Sequence, residues 1–172
     1  MPPEPDAAHA AVLASAARHP PTDADALRLA LCIARSESIA AAMLLSTMVD
    51  RLWAILRDAS TWSERHDTGD EYVMGFEVPS GADIDLALPY VGTVAGIGTR
   101  GAGLLLFRLP VPAAAAVREE LGDAIVEESP VVGGFVQLVA RLADGDSFVM
   151  PLWTTELRIV VLSTGTAPQP VR

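Results

Sequence analysis

Lysine and asparagine are absent from the 172-residue chain, and cysteine occurs once, as Cys32. Without lysine there is no amine for a Schiff base and no Walker loop, whose Gly-Lys-Ser/Thr end grips phosphate. A single cysteine allows neither an internal disulfide nor a cysteine-based zinc site. Cys32 stands in Leu29-Ala-Leu-Cys-Ile-Ala34 with no histidine beside it. It reads as a small buried apolar residue, not as an activated thiolate. Aromatic residues are sparse, and no stretch interleaves them with arginine on one face, so nucleic-acid binding is not expected. The longest nearly apolar run, Ile39 to Val49, ends at Asp50–Arg51, too soon for a membrane span. The first residues, Met-Pro-Pro-Glu-Pro-Asp, lack the basic segment that opens a secretory signal. The expectation is a cytoplasmic protein with no membrane partner.

The 12 basic residues, all arginine, face 22 acidic ones, for a net charge of −10. That field repels phosphate backbones and anionic membrane surfaces. Arginine without lysine, in an alanine-rich chain, is the bias of a GC-rich genome such as those of many bacteria and phages. Hydrophobic residues make up 51% of the chain, too many for disorder. The length suits one domain.

The chain divides into a Pro/Ala-rich arm (1–21), one α+β domain (22–163) and a Pro-containing tail (164–172). In the arm, Asp6 to His19 reads as a short helix stopped by Pro20–Pro21. From about Asp25 to Ala59, Leu27, Leu31, Ala34, Ser38, Ala41, Leu45, Met48, Leu52 and Ile55 recur at spacings of four and three. That stripe predicts a long N-terminal helical region, with Arg35-Ser-Glu-Ser38 as a candidate break. Residues 60–70 read as a polar loop. Period-two alternation then predicts a hairpin, Glu71 to Val78 and Ala82 to Leu88, turning at Pro79-Ser-Gly81. Residues 91–103 read as a Gly-rich connection, Leu104 to Leu109 as a strand and Ala113 to Glu127 as a helix. A second hairpin is predicted for Phe135–Leu142 and Ser147–Trp153, with Pro151 marking an edge strand. Leu157 to Leu162 is a last strand. The fold class is α+β: the long helical region and one further helix packed on a mainly antiparallel sheet. No segment repeats recognisably.

Three sets of residues are candidates for function. In the first hairpin Glu77 would oppose Asp83, with Asp85 diagonal to it, and such a carboxylate cluster could hold a divalent cation. Gly81-Ala-Asp83-Ile-Asp85-Leu resembles half of the nucleotidyltransferase signature, in which an Asp pair holds magnesium. The upstream Gly-Ser half is missing, since Gly75 precedes Phe76 and Gly69 precedes Asp70. Gly96-Ile-Gly98-Thr-Arg-Gly101 has dinucleotide-loop spacing but leads into a strand, not a crossover helix. Arg100-Gly-Ala-Gly103 faintly resembles the acetyl-CoA loop of N-acetyltransferases, again without its helix. The second set is Leu45, Met48, Leu52 and Ile55, as an apolar helix face open to a partner. The third is Tyr72, Tyr90 and Trp153, as the lining of a pocket for a small apolar ligand. His66–Asp67 lies in the polar loop with no second histidine near.

No catalytic constellation and no cofactor motif is complete. The leading expectation is a non-catalytic accessory or structural component that associates with itself or with another protein, a phage particle component among the options. The alternative is a small cofactor-free enzyme or ligand-binding protein of a GC-rich bacterium. A third option is an acidic antitoxin or immunity-type protein that neutralises a basic partner.

Overall fold

The computed structural model describes residues 5–17, 26–36, 38–85, 94–130, 132–151 and 158–164. They form α1 (Pro5–Ala17), β1 (Leu27–Ala34), α2 (Ile39–Ala59), β2 (Trp62–Asp67), β3 (Glu71–Val78), β4 (Asp83–Asp85), β5 (Val94–Arg100), β6 (Gly103–Pro110), α3 (Val111–Leu121), β7 (Ile125–Glu128), β8 (Phe135–Leu142), β9 (Ser147–Pro151) and β10 (Arg158–Thr164). The class is mixed α and antiparallel β. Two five-stranded sheets are present: sheet A, ordered β2-β3-β1-β5-β9, and sheet B, ordered β4-β10-β6-β8-β7.

The helical region predicted from Asp25 to Ala59 is half strand. Residues Leu27, Leu29, Leu31 and Ile33 alternate toward one core, while Ala30 and Cys32 point to the other side. A strand buried on both faces loses the polar alternation that marks an ordinary strand. Only α2 is helical, 21 residues in mid-chain. Ser38 starts it: its Oγ accepts from the Ala41 backbone N–H at 3.5 Å, so the predicted break is the N-cap. The stretch read as a polar loop holds β2, and the Gly-rich connection is β5. The helix expected through Glu127 ends at Leu121, capped by Gly122.

Neither predicted hairpin closes as a strand pair. The turns exist, but each leads from one sheet into the other. β3 pairs with β1 and β2, whereas β4 pairs with β10. Likewise β8 lies in sheet B and β9 in sheet A. The sheets therefore face each other across one core, and the chain crosses between them at β3–β4, β4–β5, β5–β6, β8–β9 and β9–β10. Leu138, Ala140 and Leu142 share the central core with Phe148 and Met150, which come from the opposite sheet. Phe107 of β6 and Phe148 of β9 pack edge-on, with centroids 6.1 Å apart. Pro151 does sit on an edge strand.

The second half of the chain repeats the first in topology, which the sequence did not disclose. Strand–helix–four strands occurs as β1-α2-β2-β3-β4-β5 and again as β6-α3-β7-β8-β9-β10. The β1–β3 ladder runs eight pairs from Leu27–Val78 to Ala34–Glu71. The β6–β8 ladder runs eight from Gly103–Leu142 to Pro110–Phe135. β5 flanks β1 as β10 flanks β6, and β2 flanks β3 as β7 flanks β8. The halves exchange one strand: β4 completes sheet B and β9 completes sheet A. The turns before the exchanged strands match. Ala82 N–H donates to Pro79 O at 3.2 Å and Asp146 N–H to Ala143 O at 3.0 Å. Gly81 and Gly145 hold the left-handed position, at φ 89° and 88°.

α2 buries Leu45, Met48, Val49, Leu52 and Leu56 in the central core, and α3 buries Ala113, Ala114, Val117 and Leu121 there. α1 lies on the outer face of sheet A, where Val12 and Ala16 meet Ala30, Cys32 and Val73. Gly98 makes this approach feasible, because a Cβ there would come 2.8 Å from Val12 Cγ1. That close contact explains glycine within a central strand.

Candidate functional site

The helix face expected to be open, Leu45, Met48, Leu52 and Ile55, is the face that α2 turns to the core. Leu45, Met48 and Leu52 are at most 3% exposed, and Ile55 packs against the same cluster. A stripe at helical spacing marks the buried side of a helix whichever body covers it. The open apolar surface is on the opposite side of the same helix. Ile39 is 83% exposed, Met43 70% and Leu44 66%. They fall within the first two turns, beyond the point where the sheets support α2, and no described residue of α2 before Leu45 is buried. Ala40 and Thr47 complete an uncharged patch, bounded by Asp50 and Arg51. α2 is long and apolar enough to cross a membrane by length and composition, yet its deepest stripe is spent on the central core. Arg65 of β2 pins the helix beyond the patch: Nη1 reaches Asp50 Oδ1 and Nε reaches Asp67 Oδ1, each at 2.9 Å.

The three carboxylates proposed as a cation site do not converge. Glu77 lies on the α1-facing side of β3 and is fully buried. It accepts from Thr61 Oγ1 at 2.8 Å. Arg28, its cross-strand neighbour, has Nε 3.8 Å from Glu77 Oε2. The Arg28 guanidinium stacks 4.8 Å above the Trp62 ring. Burial pulls the Arg28 pKa below its ordinary value, and Glu77 opposes that pull. Asp83 and Asp85 are exposed on β4, in the other sheet. Among the described residues no group of three or more His, Cys, Asp or Glu side chains is placed to hold a metal ion.

Of the ligand-pocket residues, Tyr72 is buried in the core with its ring under Arg35 at 4.4 Å and Arg65 at 5.7 Å. Tyr90 and Trp153 lie outside the described residues. Cys32 is buried and donates to Glu71 Oε2 at 2.5 Å. Burial first, then the adjoining carboxylate, raises its pKa far above the usual thiol range, so the thiol stays protonated and unreactive. His66, in β2, pairs with Glu64 of the same strand, Nε2 to Oε1 at 2.5 Å. Glu77, Cys32, Arg65 and His66 are thus each paired with a neighbour in the fold. The feature that sequence reasoning missed is the first two turns of α2. The signal for it was Ser38: a cap there starts the helix early enough to carry Ile39, Met43 and Leu44 clear of the sheet.

Fold and surface together define an α+β two-sheet module with an internal topological repeat and an exposed apolar helix end. No protein-family model, curated protein or solved structure matches the chain.

Proposed function

We propose that this chain is a non-catalytic component that works by association, and that it meets a second copy of itself through the first two turns of α2. The observation that carries this reading is the exposure of Ile39, Met43 and Leu44 side by side on a helix. Full burial of such side chains contributes about 1.5–3 kcal/mol each, and exposed contiguous apolar patches mark interaction sites. The patch is uncharged, so two copies of a chain with net charge −10 can touch there without placing like charges in contact. The pairing of Glu77, Cys32 and Arg65 with neighbours in the fold supports a structural role over chemistry.

Native mass spectrometry of the purified protein tests this, with sedimentation as a second measurement. The expected result is a homo-oligomer of bare mass that becomes monomeric in the Met43→Glu/Leu44→Glu double variant. Thermal stability should be nearly unchanged, since exposed substitutions usually stay within about 0.5 kcal/mol. A monomer of bare mass at high concentration would refute self-association. A monomer carrying a small-molecule mass would favour the ligand-binding alternative.

A further inference from the structure

The connection between β7 and β8 borders a cavity whose polar groups the fold leaves available. Backbone hydrogen bonds hold that connection in place. Ser129 N–H donates to Gln137 O at 2.9 Å, and Gln137 N–H donates to Ser129 Oγ at 3.0 Å. Val132 N–H donates to Phe135 O at 2.9 Å, and Phe135 N–H to Val132 O at 3.1 Å. Val111 N–H reaches Gly134 O at 3.2 Å and ties the turn to α3. Gly133 and Gly134 supply the left-handed backbone that this turn requires, at φ 62° and 83°. The cavity measures about 380 Å³ and is lined by Arg108, Ser129, Pro130, Val132, Phe135 and Gln137. Its volume is that of a small-molecule site.

Arg108 is the charged group of the lining. Its guanidinium lies 4.5 Å over the Phe135 ring, and among the described residues it makes no ion pair. Stacking on a ring orders a guanidinium and leaves its N–H edge open to a bidentate carboxylate. Gln137 stands opposite Arg108 in the β6–β8 ladder. Ser129 engages its backbone N–H and C=O, so the side-chain amide is a second donor for the same ligand. Pro130, Val132 and Phe135 make the rest of the lining apolar, and Val132 is 74% exposed.

The surroundings limit the ligand's charge. The ladders place Arg158 beside Arg108 and Asp85 beyond it. Glu127 stands two residues before Ser129, in the row of Val139. Two arginines and two carboxylates leave no surplus of positive charge around the cavity, so a doubly charged phosphate gains little there. A single negative charge is met within the cavity by Arg108.

We propose that this cavity binds a small monocarboxylate with an apolar body. The carboxylate accepts from Arg108 and Gln137, and the apolar part covers Phe135, Val132 and Pro130. None of these residues belongs to α2, so the site neither requires nor excludes self-association. A ligand of this size binds with a Kd of about 0.1–1 mM and is lost on purification, so the bare mass expected of the purified oligomer stands.

The test titrates four probes into the isotope-labelled full chain at neutral pH: phenylpropionate, its neutral amide phenylpropanamide, propionate and inorganic phosphate. Phenylpropionate should saturate, with amide shifts concentrated at 108 and 129–137. The neutral amide and propionate should each bind about tenfold less tightly, one for want of charge and the other for want of the ring. Phosphate should not saturate. Arg108→Gln should weaken phenylpropionate by about tenfold and leave the neutral amide unchanged, a split that a merely structural effect would not give. Val132→Asp should weaken the acid by about tenfold as well, through a carboxylate at the rim. Both positions are exposed, so the thermal midpoint should not move. Equal binding of acid and amide, phosphate or propionate binding as tightly as phenylpropionate, shifts concentrated elsewhere, or no saturation would overturn the proposal. So would an Arg108→Gln variant that loses acid and amide alike.

Discussion

Replacing Gly98 with valine should release α1 while leaving the two-sheet core folded. The strand backbone accepts a side chain there, since its φ is not in the left-handed region. The obstacle is space: even a Cβ would approach Val12 Cγ1 to 2.8 Å and Leu13 Cδ2 to 3.1 Å. Overpacking of this kind costs about 1–3 kcal/mol, and α1 has little with which to offset it. Its described buried contacts are a small cluster of Val12, Ala16, Ala30, Cys32 and Val73, separate from the central core. The cost therefore falls on a local opening, not on global unfolding. Cys32, the single cysteine, lies beneath α1 at 2% exposure and reports that opening. When labelling follows the open population, 1–3 kcal/mol at a tenfold change per 1.4 kcal/mol makes Gly98→Val label about 5- to 150-fold faster than the parent. The assay is the rate of modification by a thiol reagent at neutral pH, run beside a denaturant melt of the core. An unchanged labelling rate would refute the reasoning. So would a rise that merely tracks a lower global midpoint, because α1 would then be part of the same cooperative unit.

Two further outcomes follow from the buried pair and from the repeat. Glu77→Gln should destabilise the fold by about 3–5 kcal/mol in denaturant titration, because Arg28 remains as a buried charge without its carboxylate. Adding Arg28→Met should restore most of the loss, and a single-variant cost below about 1 kcal/mol would show that the pair is not tightly coupled. Gly81→Ala and Gly145→Ala should each cost about 1–2 kcal/mol, as an L-residue forced into left-handed backbone does. The two values should agree within about 0.5 kcal/mol if the turns are equivalent, and unequal costs would show that their surroundings dominate.

Much of the local structure was legible in the sequence. The helix of the arm, strands β3, β6, β8 and β10, the turn at Pro79-Ser-Gly81 and the edge position of Pro151 follow from period, breakers and turn chemistry. The failures have physical reasons. Residues 27–34 carry leucine and alanine, good helix formers, and are buried on both faces, so their spacing of four masks the period-two run Leu27, Leu29, Leu31, Ile33. β2 is an edge strand whose Arg65 and His66 are engaged with Asp50, Asp67 and Glu64, and such a strand shows no apolar alternation. β5 is glycine-rich because a helix lies on it, and glycine without that knowledge reads as loop. The acidic cluster failed for a different reason. A turn at Pro79-Ser-Gly81 reverses the chain but does not determine which strand the next segment joins. Once β4 pairs with β10 instead of β3, Glu77 and Asp83 belong to different sheets.

The exchange of β4 and β9 places the differences between the halves where they matter. Each sheet needs a strand from the other half, and each half contributes residues to one shared core, as the contact of Phe107 with Phe148 shows. Inward-facing positions are thus held to a common pattern: Leu29, Leu31 and Ile33 correspond to Leu105, Phe107 and Leu109. Outward-facing positions carry no such constraint, and there the halves part. Ala30 under α1 and Gly75 under the Trp62 ring correspond to Leu106 and Val139 on the outer face of sheet B. α2 extends over 21 residues where α3 has 11, and its additional length carries Ile39, Met43 and Leu44. The core alone does not require these departures from the repeat. The added turns of α2 present apolar surface outside that core, as the proposed self-association requires.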